Sequence, residues 1–173
     1  ADERSVIATG FLRVGTWDDE PNDDLEYRYV RLEDLVHATS TAFLGLTFKC
    51  ARCHDHKFDA ITQEDYYRMA AAFWPGPVAA RDRAWMGGPT AAELGYDVLG
   101  WTDITTSPEP LRLLAKGDPH RPQHEVPAGS FSCVPASYGD FAPPSHDAPT
   151  TGRRLQLSRW IAGAGHEVVV IAG

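Results

Sequence analysis

The sequence predicts a mainly α protein with a small β part (α+β): helices flanking a C-x-x-C-H motif, then a β hairpin and long loops in the C-terminal half. Three observations predict it. Apolar residues recur at three- and four-residue steps on both sides of the stretch CARCHDHKF, which runs from Cys50 to Phe58. Two later runs, YDVLGWTDI (96–104) and PLRLLAKGD (110–118), have strand character and are joined by the polar, Pro-containing TTSPE. Most of the Pro and Gly lies after residue 75, where the chain changes from helix-like to loop-like. The expected organisation is a helical, motif-bearing region (1–76) and a loop-rich part (77–173) with the hairpin and a last helix, together one domain.

The elements follow in order. ERSVIATGF (3–11) suits a short helix with Val6, Ile7 and Phe11 on one face. TWDDEPNDD (16–24) is acidic and broken by Pro, so it reads as a solvated turn; its spacing lacks the regular ligand pattern of a calcium loop. From Tyr27 to Thr47 the pattern is helical, with Leu32, Leu35, Val36, Phe43, Leu44 and Leu46 recurring. Thr62 is an expected N-cap, with Glu64 and Asp65 in the first turn where the helix dipole favours acids. Tyr66, Met69, Ala70 and Phe73 should face the core, and Pro75-Gly76-Pro77 should stop the helix. HRPQHEVPAGS and YGDFAPPSHDAP read as turns and loops. Residues 150–163 form a last helix with Leu155, Leu157, Trp160 and Ile161 apolar and Gly163 as C-cap. The terminal EVVVIAG has strand composition without a visible partner.

Composition narrows the function. The net charge is −8, which argues against a nucleic-acid partner held through phosphates. No apolar run reaches the roughly 18 residues of a membrane span. Three cysteines do not make a disulfide scaffold. The opening ADERSVIATG lacks the basic and apolar segments of a signal peptide, as expected of a mature form or a fragment.

The motif carries the chemistry. Cys50 and Cys53 lie three positions apart with His54 immediately after, which is the c-type haem attachment pattern. Two thiols on one turn can each add to a vinyl group on one porphyrin edge, and the next residue then lies under the iron. Zinc is the first alternative: Cys50, Cys53 and His54 or His56 supply three ligands, with Cys133 or a distant His as fourth. A thioredoxin-like redox pair is the second, but it expects a preceding strand rather than a helix. A chance match is the third. No G-x-S-x-G or H-E-x-x-H occurs.

Longer strings add to the motif. ATGFLR, FLGLTFKCARCHDHKFDAITQEDYYRMAAAF, LLAKGDPHRP with EVPAG, and TTGRRLQLSRWIA occur in that order. Together they resemble the planctomycete-type cytochrome c domain family over roughly residues 5 to 162. The resemblance implies a monohaem c-type cytochrome domain: haem c bound through Cys50 and Cys53, His54 as axial ligand, and electron transfer as its role. The family occurs in large secreted proteins, which implies a periplasmic or extracellular place and redox proteins or neighbouring cytochrome subunits as partners. Two departures stand out. Ala60 replaces the family's usual Pro, and the chain after Ala162 does not look like the continuation into the next domain.

The other iron face is open to several candidates. His56 is too close to His54 to reach around the ring, since extended residues cover at most about 3.3–3.6 Å each. With Asp55, Lys57 and Asp59 it suits hydrogen bonds behind the ligand, or salt bridges that fix the loop. His120, in GDPH, is the candidate sixth ligand from the β part. His37, Met69, Met86, His124, His146 and His166 are more distant options, with Met69 on a core-facing position. An open sixth position would suit a peroxidase-like haem protein. Cys133 reads as a small hydrophobe, and Trp74, Trp85, Trp101 and Trp160 as core or ring-packing aromatics.

Overall fold

The computed structural model describes residues 8–15, 18, 20–78 and 101–163. Among them are three α-helices and one two-stranded antiparallel sheet, so the α+β expectation holds. The expected strand at 167–173, Trp85, Met86 and His166 lie outside the described residues, as does most of the expected helix at 3–11. The described end of that stretch forms a 3-10 turn, Gly10–Arg13.

Helix α1 spans Asp24–Leu44. It begins three residues before the sequence suggests, because the acidic turn supplies its own cap: Asp23 Oδ1 accepts the backbone N–H groups of Leu25 (2.9 Å) and Glu26 (3.0 Å). It ends before Thr47 because Gly45 takes the left-handed conformation at φ 66°. Leu32, Leu35 and Val36 are buried, but Phe43 stays exposed against the edge of Phe11.

Helix α2 spans Gln63–Phe73 and opens on the expected cap. Thr62 Oγ1 accepts the Asp65 N–H at 3.1 Å, and the Asp65 carboxylate accepts the Thr62 N–H at 2.9 Å, a reciprocal capping box. Every residue from Asp65 to Phe73 is buried, so α2 is the central element, not merely one with an apolar face. Helix α1, the sheet and a third helix, α3 (Arg153–Ala162), pack on it. In α3, Leu157 is buried, Trp160 and Ile161 are half-buried, and Leu155 is exposed, with Gly163 as C-cap. Met69 is a fully buried core residue.

The hairpin differs from the expected one. Strand β1 (Arg112–Leu114) pairs with β2 (Pro122–Glu125), within the run read as turns. Residues 101–104 form no strand, and 96–100 lie outside the described residues. The reason is local. Lys116 (φ 56°) and Gly117 (φ 75°) are both left-handed, so the chain reverses directly after β1. Ala115 then donates to the Arg121 carbonyl at 3.0 Å, and Arg112 reaches Glu125 across the strands at 2.6 Å.

Candidate functional site

The motif follows α1 on a 3-10 helix, Phe48–Arg52, with Cys53 as its C-cap. This short helix splits its side chains. Phe48, Ala51 and Arg52 are buried, while Cys50, Cys53 and His54 are exposed. Phe48 anchors the turn by packing on Phe131, ring centroids 4.8 Å apart. Both thiols are free. His54 Nδ1 lies 2.7 Å from the Asp55 carbonyl. A carbonyl can only accept, so Nδ1 carries the proton and Nε2 is the basic nitrogen, the form a metal-binding imidazole takes.

Arg52, inside the C-x-x-C, fixes that turn. Its guanidinium donates to Glu26 (2.7 Å) and Glu33 (3.2 Å) on α1 and to the Gly117 carbonyl (3.1 Å) beyond β1. Its carbonyl accepts from Gln63 Nε2 (2.8 Å) and the Tyr67 hydroxyl (3.2 Å) on α2. Burial works against the charge, but Glu26 and Glu33 hold Arg52 above its ordinary value, so it is always a cation. Burial pushes the Tyr66 and Tyr67 hydroxyls well above the usual phenol range. The Tyr66 hydroxyl and Arg52 Nε are both buried without a hydrogen-bond partner. Gly117 closes on the motif from the far side: a Cβ there would stand 2.5 Å from Cys53 Sγ.

The four residues after His54 fix the loop. Asp55 Oδ1 accepts the Gln63 N–H at 2.7 Å, at the start of α2. His56 Nδ1 accepts the N–H groups of Phe58 (3.3 Å) and Asp59 (2.9 Å), and its Nε2 faces Thr47 Oγ1 at 3.4 Å. An Nδ1 that accepts has no proton, so its 3.3 Å approach to the Asp59 carboxylate is not an ion pair. Lys57 lies over the exposed Phe58 ring.

The distant candidates are dispersed. His120 Nε2 is 2.7 Å from Asp23 Oδ2, His124 meets Glu64 at 2.9 Å, His146 meets Asp147 at 3.1 Å, and His37 Nδ1 faces Thr41 at 3.3 Å. Cys133 is half-buried; burial and then the Asp65 charge push its thiol up, so it stays protonated. Trp74, Trp101 and Trp160 pack in or against the core. Among the described residues no group of three His, Cys, Asp or Glu side chains is placed to hold a metal ion. A four-ligand zinc site is therefore not assembled there. Covalent haem asks less of the protein: two thiols on one turn and one imidazole, which this turn presents.

Arg52, Glu26, Glu33 and Gly117 were not among the residues the sequence singled out. The only signal for them is a basic residue between the cysteines and a Gly in AKGD.

Comparison with known proteins adds one finding. Residues 1–76 match the family model PSCyt2, described as a protein of unknown function (DUF1549). The name is that of a planctomycete cytochrome-like family, and the match ends in the Pro75-Gly76 helix stop. No curated protein and no solved structure matches. No helix among the described residues is long and apolar enough to cross a membrane.

Proposed function

We propose that this chain is a monohaem c-type cytochrome domain that transfers electrons, with haem c held by Cys50 and Cys53 and ligated by His54. One observation carries the reading: two free thiols and an imidazole with a basic Nε2 are exposed together on a turn whose backbone is locked by Arg52. When bound, haem c supplies a one-electron couple at iron. The chain supplies the rest. Cys50 and Cys53 tether the cofactor, and the Asp55 carbonyl orients His54 and makes it a better donor. Arg52 and Gln63 keep the turn from rearranging, which preserves the thiol spacing. Glu26 and Glu33 neutralise Arg52 beneath the site. His120 as the sixth ligand through Nε2 requires its pair with Asp23 to open. The reading places the domain in the periplasm or outside the cell, with redox proteins or neighbouring cytochrome subunits as partners. A net charge of −8 suits a basic partner surface.

The test is expression in a host that matures cytochromes. A Soret band that survives acid–acetone extraction is expected, and it is lost in Cys50→Ala/Cys53→Ala. A colourless protein with one equivalent of zinc sinks the reading.

A further inference from the structure

His54 is exposed, and among the described residues its ring is tied by one hydrogen bond, from Nδ1 to the Asp55 carbonyl at 2.7 Å. An exposed ring with one bond keeps its tautomer and its direction only if the acceptor is itself fixed. That acceptor belongs to the Asp55–His56 peptide, which is held from both sides. Its N–H, on His56, donates to the Ile61 carbonyl at 2.8 Å. On the other side the Asp55 carboxylate accepts the Gln63 N–H at 2.7 Å. A peptide is planar, so fixing its N–H and the residue before it fixes where its carbonyl points.

The hook on Asp55 comes from the start of α2. Gln63 is the first residue of that helix, and its N–H is one of those that find no partner inside a helix. Thr62 takes the Asp65 N–H, and Asp55 takes that of Gln63, a carboxylate at the positive end of the helix dipole. Gln63 also reaches back through Nε2 to the Arg52 carbonyl at 2.8 Å. The start of α2 therefore grips the motif on both sides of Cys53 and His54.

We propose that Asp55 is a positioning residue for His54: its carboxylate, held by the start of α2, aims the Asp55 carbonyl at Nδ1 and keeps Nε2 unprotonated for the iron. The inference rests on the haem reading of His54 and deepens it. Any residue at 55 would have the carbonyl, but only one with an acceptor side chain can hook the Gln63 N–H. The bond from His56 N–H to Ile61 polarises the same peptide and strengthens its carbonyl as an acceptor. A stronger bond at Nδ1 makes Nε2 a better donor, which favours ferric iron and lowers the reduction potential.

The test makes two readings on the whole chain. The first is the His54 tautomer by nitrogen NMR without haem, at a pH of about 9 where an imidazole is neutral. The Nδ1–H form is expected in the unaltered chain and in Asp55→Asn, which keeps an acceptor, and a mixture of both forms in Asp55→Ala. The second is the midpoint potential with haem bound, expected to rise in Asp55→Ala and to return in Asp55→Asn. A merely structural role would lower stability and leave both readings alone. Three results overturn the proposal: a tautomer mixture in the unaltered chain, a pure Nδ1–H form in Asp55→Ala, or equal potentials. If no haem binds while the tautomers behave as stated, the haem reading falls and the hold of Asp55 on His54 stands. Should Asp55→Ala not fold, Asp55→Ser, which stays polar but falls short of the Gln63 N–H, decides by the same readings.

Discussion

The stretch from Asp24 to Trp74 and the stretch from Leu111 to Ala162 share one core but hold their backbones by different means. The first uses helical hydrogen bonds and local caps, such as Asp23 and Thr62. The second is mostly loop, and beside its own backbone bonds several of its carbonyls and N–H groups are met by side chains from far away in sequence. Arg68 donates to the carbonyls of Ser130 (2.8 Å) and Gly139 (2.6 Å), Gln63 to that of Leu114 (2.9 Å), and Asp65 accepts the Ser132 N–H (2.7 Å). All three of these residues lie on α2. The helix therefore serves two regions: Gln63 and Tyr67 brace the motif turn, while Asp65 and Arg68 brace the loops. The difference teaches that the polar residues of α2 add to the loop-to-loop bonds, such as Ser130 N–H to the Gly139 carbonyl (3.0 Å) and Phe141 N–H to that of Ala128 (2.8 Å), in ordering the second region.

The largest effect should come from breaking that bracing. Arg68→Met leaves the Ser130 carbonyl without its donor, takes one of three donors from the Gly139 carbonyl and removes the partner of Asp140, and removing one member of such a network costs about 3 kcal/mol. Urea unfolding should show that loss. Amide exchange should rise first in residues 128–141 while α1 stays protected. A loss below about 1 kcal/mol, or equal exchange in both regions, breaks the comparison.

The motif side gives the next effect. Arg52→Met removes the cation between Glu26 and Glu33, and leaves Glu33, which is largely buried, with only the exposed Lys49 at 2.9 Å. A loss of about 2 kcal/mol is expected. Alkylation of Cys50 and Cys53 should quicken as the turn loosens. If thiol reactivity is unchanged, Arg52 merely packs and does not hold the site.

How much of this was legible follows from the same contrast. Cys50, Cys53 and His54 stand out because their spacing is local and their chemistry is specific. Thr62, Glu64 and Asp65 stand out because a helix start has a local signature. The start of α1 was misplaced because Asp23, inside an acidic turn, looks like charge rather than a cap. Arg52 was illegible because its partners lie 19, 26 and 65 residues away. The hairpin was misread because a Lys at positive φ has no sequence signature, so the reversal at Lys116-Gly117 was hidden. Met69, by contrast, sits where its periodicity puts it.

That reversal is one of the places where the two regions touch, and it yields a smaller effect. Gly117→Ala meets a left-handed backbone and brings a Cβ to 2.5 Å from Cys53 Sγ. The backbone term alone is about 1–2 kcal/mol. Lys116→Gly relieves the neighbouring residue and should be neutral to slightly stabilising. The sharper readout is covalent haem yield: Gly117→Ala should lower it while Lys116→Gly does not. Equal yields would show that Gly117 matters to the turn only.

The smallest effect joins the regions at the surface. His120 lies beside Asp23 at the start of α1, with Asp118 and Glu26 also facing it. The hydrogen bond His120 donates to Asp23, then the Asp23 charge, hold the imidazole above its ordinary 6.5. That stabilisation is complete below 6.5 and fades as pH rises through the folded value. The hydrogen bond with His120 and the cap bonds hold Asp23 below its ordinary 3.8. Its stabilisation is complete above 3.8 and fades as pH falls through the folded value. The pair thus contributes most between the two ordinary values. Asp23→Ser keeps a cap oxygen but removes the charge, so its stability deficit should peak in that window, shrink on either side, and flatten with added salt because both groups are exposed. A deficit that is constant with pH would assign Asp23 to capping alone and leave His120 free to turn toward the motif.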